Sequence, residues 1–76
     1  MEISRIVCAI QEWEVQGAKV VSITLSPVDY VSVLSQASGS ARCEAEGFNH
    51  FMICGRLVVS DYNMHDGKIR LGIEIG

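Results

Sequence analysis

The chain has 76 residues, of which 49% are apolar and 20% charged. That length holds a single domain, 1–76, and buries only about 60% of the surface its unfolded form exposes. With Lys+Arg 6 against Asp+Glu 9 the net charge is −3, which argues against non-specific nucleic-acid binding and leaves room only for a local basic patch.

The first 16 residues predict an amphipathic helix over 2–16. Ile3, Ile6, Val7, Ile10 and Trp13 follow the spacing of one helical face, and Glu14 sits close to that apolar stripe. Gly17 stands where a C-terminal stop belongs. Lys19–Leu25 reads as a strand, with Val21, Ile23 and Leu25 on one face and Val20, Ser22 and Thr24 on the other. Ser26-Pro27-Val28-Asp29 marks a helix start: a capping hydroxyl, a proline at the first helical position and a carboxylate able to complete a capping box. The second helix is predicted over 27–37, burying Tyr30, Val33, Leu34 and Ala37, with Gly39 ending it.

Residues 38–47 are small, polar and glycine-rich, and read as a long loop. Three strands are expected at 48–54, 57–61 and 68–75. Gly55-Arg56 would be a tight turn, and Asp66-Gly67 the turn signal of the last connection. In the last strand Ile69, Leu71, Ile73 and Ile75 alternate with Lys68, Arg70, Gly72 and Glu74, so one face is core and the other wet. The order α-β-α-β-β-β predicts an α+β two-layer sandwich, two amphipathic helices on a mainly antiparallel four-stranded sheet. The first strand would lie at an edge or between two others.

Candidate chemistry is sparse, and no enzyme, cofactor or metal is expected. Residues 61–67 look like a calcium loop, yet Asp66 stands at the sixth position and Gly72 at the twelfth, where such a loop needs glycine and glutamate. His50 and Cys54 lie about 13 Å apart along one strand, whereas a nucleophile and its base must approach to about 3 Å. Cys8, Cys43, Cys54, His50 and His65 lack the close pairing of zinc ligands. No phosphate-binding glycine loop or G-x-S-x-G is present. The odd, widely spaced cysteines point to reduced thiols and a cytoplasmic setting. No signal peptide is expected, and no apolar run reaches the ~18 residues of a membrane span.

Exposed contacts are the remaining candidates. Tyr62, Met64 and His65 sit in a turn, where large side chains are not needed for folding, and are expected to form a contact patch. Arg56, Lys68 and Arg70, with Arg42 nearby, could share a sheet face that receives a phosphate or another acidic ligand. Trp13 and Tyr30 are expected to pack in the core, with a role as interface anchors as the alternative.

The stretches SPVDYVSVL (Ser26 to Leu34) and ICGRLVVSDYNMHDGKIRLG (Ile53 to Gly72) resemble a pattern in short phage-encoded proteins of unknown function. There the turn often carries proline, where this chain has Met64-His65. The resemblance implies a small viral accessory or virion component. High apolar content in so small a domain leads to the expectation of a non-catalytic homo-oligomer that engages a protein partner, such as a host enzyme or defence complex. The alternatives are a structural part of a large assembly and sequestration of a small acidic ligand at a subunit interface.

Overall fold

The computed structural model describes residues 1–37, 43–45 and 51–74. Its elements are α1 (Ile3–Val15), β1 (Lys19–Leu25), α2 (Pro27–Gln36), β2 (Cys43–Ala45), β3 (Phe51–Ile53), β4 (Arg56–Ser60) and β5 (Arg70–Glu74). Gly39, Arg42, His50 and Ile75, on which sequence expectations fell, lie outside the described residues.

α1 ends in a Schellman motif. Gly17 takes φ 93°, its N–H donates to Glu14 O at 3.0 Å, and Ala18 N–H donates to Trp13 O at 3.2 Å. At its other end Glu2 offers no side-chain cap. The cap comes instead from α2: Gln36 Oε1 accepts from Ile3 N–H at 3.2 Å while Gln36 Nε2 donates to Met1 O at 2.6 Å. One amide thus satisfies an orphan donor of α1 and ties the helices together. Gln36→Ala is expected to cost about 1 kcal/mol, the usual loss for a removed cap, read as a lower midpoint in urea unfolding.

The sheet runs β2-β3-β4-β1-β5. β1 pairs with β4 in parallel and with β5 antiparallel. The sheet is therefore mixed, which corrects the expectation of a mainly antiparallel one. Two features account for the difference. The predicted loop 38–47 contains β2, which pairs antiparallel with β3 and adds a strand to the meander β2-β3-β4. β5 then crosses over to the far side of β1 rather than pairing with β4. β1 carries Val on both sides of its alternation, as its parallel neighbour β4 does with Val58 and Val59.

β1 also departs from regular alternation. Its register against β5 shifts between Val20 and Ser22, so Val20 joins Ile23 and Leu25 in the core and Val21 turns outward. This reverses the expected placement of Val20 and Val21. The tight turn falls one residue earlier than expected. Ile53 pairs with Arg56, and Cys54 and Gly55 form the turn with φ 52° and 77°. Positive φ at both central residues is the mark of a hairpin turn whose twist matches its strands.

The core joins Ile6, Val7 and Ile10 of α1, Val20, Ile23 and Leu25 of β1, Val33 and Ala37 of α2, and Phe51, Ile53 and Val58. Tyr30 and Leu34 pack against it, and the Tyr30 and Phe51 rings meet edge to face at 5.8 Å. Trp13 is half-exposed rather than buried. It lies at the margin of the α1 stripe, which centres on Ile6, Val7 and Ile10.

Candidate functional site

The registers define two faces of the sheet. On the core face Val58, Ile23 and Leu71 stand in one row. On the other face one row holds Met52, Leu57, Ser22 and Gly72, and the next holds Val59, Thr24 and Arg70. Among the described residues this second face is the more exposed of the two. Val21, Leu57 and Val59 are 42%, 39% and 39% exposed, and Met52 is half-buried beside them. Its surface is shallow at Gly72, where an added Cβ would stand 2.1 Å from Ser22 Oγ. The Ser22 side chain lies across the position that a larger residue would fill.

The expected contact residues are partly gathered at the rim of this face. Arg70 Nη2 approaches Met64 Sδ at 3.2 Å, and Arg70 Nη1 lies 3.7 Å from Asp61 Oδ2. Asp61 shapes the loop leading there: its Oδ1 accepts from Asn63 N–H at 2.9 Å and its O from Met64 N–H at 3.0 Å. Asp61 N–H donates to Leu25 O, which fastens the loop to the end of β1. Tyr62 is 93% exposed and His65 is exposed.

The three cations do not share a face. Arg56 stands on the α1 side, where Nη2 lies 2.6 Å from both carboxylate oxygens of Glu14 and Nη1 donates to Cys54 O. Arg56 thus braces the hairpin turn against the last turn of α1. Lys68 lies in a shallow cleft between residues 67–69 and α1, facing Arg5, Cys8 and Glu12. Arg70 alone reaches the open face.

Cys8 and Cys54 are free thiols, the first exposed and the second half-buried. Among the described residues no group of three or more His, Cys, Asp or Glu side chains converges as metal ligands would. No helix among them is long and apolar enough to cross a membrane. No family model matches the chain, and neither the curated proteins nor the solved structures contain a match.

Sequence reasoning missed the open apolar face. Its signal was the run Leu57-Val58-Val59, apolar on both sides of a strand. The contribution of Val21 was hidden by the β1 bulge.

Proposed function

We propose that this chain is a non-catalytic binding module of the cytoplasm, a homo-oligomer that docks a protein partner on the open face of its sheet. In this reading the two helices form one layer and the sheet the other, so the outer sheet face is left for a partner. The observation that carries it is the apolar surface of Val21, Leu57, Val59 and Met52, rimmed by Arg70 and Met64. An apolar centre with a polar rim has the composition of a protein-binding patch. In a phage setting the partner would be a host enzyme or defence complex.

The test compares captures from host lysate by the parent chain and by Val59→Lys. Val59 is exposed, so the lysine stands in water and the fold is expected to survive, with melting shifted by no more than a few degrees. A partner held by the parent and lost from the variant supports the reading. Identical captures by both proteins would remove the open face from the binding site.

A further inference from the structure

β5 is an edge strand, and its sequence is complementary to itself. Among the described residues nothing pairs with its outer side, so alternate residues direct N–H and C=O groups away from β1. An unpaired row of this kind is a template for another strand. When two copies of R-L-G-I-E run antiparallel about Gly72, Arg70 of each stands opposite Glu74 of the other. Leu71 then stands opposite Ile73. Gly72 meets its own counterpart on the two-fold axis.

Both kinds of pair fit what the structure leaves unfinished. Glu74 is exposed and, although its register partner on β1 is Lys19, forms no ion pair among the described residues; Arg70 is largely exposed, its guanidinium 3.7 Å from Asp61 Oδ2 and 3.2 Å from Met64 Sδ. Directly opposed unlike charges stabilise a strand pair, and like charges oppose it. On the helix side Leu71 and Ile73 are only half-buried, and Ile73 stands outside the core cluster. α1 borders the same edge through the Lys68 cleft, and Val15 follows Cys8 and Glu12 on that helical flank, 87% exposed.

We infer that two copies of this chain join through antiparallel β5–β5 pairing centred on Gly72, with reciprocal Arg70–Glu74 pairs, to make one continuous sheet. The contact is isologous and closes on itself, so it makes a dimer and not a filament. The inference rests on the homo-oligomer reading above and specifies its interface. It leaves the open face free for a partner.

The test is a charge exchange followed by native mass spectrometry and sedimentation equilibrium. Arg70→Glu leaves each copy with two acidic residues on the edge, and Glu74→Arg leaves two basic ones. Each variant alone is expected to dimerise at least roughly tenfold more weakly than the parent. Mixed together, they are expected to form the heterodimer in preference to either homodimer, because both cross-strand pairs are again of opposite charge. The double variant Arg70→Glu/Glu74→Arg is expected to recover the parent's affinity. Circular dichroism checks that each variant is folded. Should Arg70→Glu unfold through its contact with Asp61, Glu74→Arg carries the test alone by weakening the dimer.

An oligomer of unchanged affinity in both single variants, or a mixture with no heterodimer preference, overturns the β5 interface while leaving the homo-oligomer reading standing. A parent chain that stays monomeric at every concentration overturns both.

Discussion

Phe51→Ala is expected to leave the protein without a cooperative unfolding transition at room temperature. Phe51 is fully buried and, among the described residues, is the largest of the fully buried side chains. Its ring stands edge to face with Tyr30 at an interplanar angle of 81°, so its removal takes away both apolar burial and an aromatic pair joining β3 to α2. Truncating a buried phenylalanine costs about 3–5 kcal/mol. A domain of this length holds roughly 4–11 kcal/mol in all, and this one lies toward the low end because so small a core is set against so much surface. Phe51→Leu keeps most of the volume and is expected to fold with a lower melting temperature. The measurement is thermal unfolding by circular dichroism. A Phe51→Ala chain that melted within a few degrees of the parent would show that β3 and α2 are not joined through this ring.

The same ring shows why helices were easier to read than pairing. The α2 stripe of Tyr30, Val33, Leu34 and Ala37 is a local pattern, and each member meets the core as the periodicity requires. The α1 stop at Gly17 is equally local, since one glycine supplies the positive φ. All four expected strands have counterparts in β1, β3, β4 and β5. Their order could not be read, because hydrophobic alternation says which face of a strand is buried and nothing about its neighbour. The parallel β1–β4 pair depends on β2, three residues within a stretch whose polar composition reads as loop.

The candidate site failed and succeeded for related reasons. Grouping Arg56 with Lys68 and Arg70 assumed that cations near one sheet share a face. Moving the turn to Cys54-Gly55 set Arg56 opposite Ile53, on the core side, within reach of Glu14. Glu14 sits close to the apolar stripe of α1, and its carboxylate meets Arg56 at the rim of the core. Met64 and Arg70, singled out for separate reasons, come together because the loop after β4 must pass the end of β1 before β5 can begin. Long-range contacts of this kind, like the Gln36 clamp across 33 residues of chain, leave no local trace.

Asp29→Ala is expected to destabilise the protein by about 1.5–3 kcal/mol, the cost of taking a charged acceptor from a part-buried hydrogen bond. The sequence assigns Asp29 a local task, closing a capping box with Ser26. Only half of that box forms: buried Ser26 accepts from Asp29 N–H at 3.2 Å. The carboxylate itself turns to the rest of the molecule. Oδ2 accepts from Gly67 N–H at 2.6 Å, and Oδ1 lies 3.8 Å from the Met1 amino group. Gly67 holds φ 81°, within the turn closed by Lys68 N–H to His65 O, so the loop is shaped where the carboxylate meets it. A negative charge in the first turn of α2 adds a further 0.3–1 kcal/mol or so through the helix dipole. Asp29→Asn keeps an oxygen for Gly67 and gives up the charge, so its loss is expected to be smaller than that of alanine. Amide hydrogen exchange locates the effect. Gly67 and Lys68 are expected to lose protection before β1 and β4 do, because the loop between β4 and β5 is released first. Equal loss across the whole sheet would instead make Asp29 a general support of the fold, and an alanine variant within 0.5 kcal/mol or so of the parent would show that neither bond holds the loop.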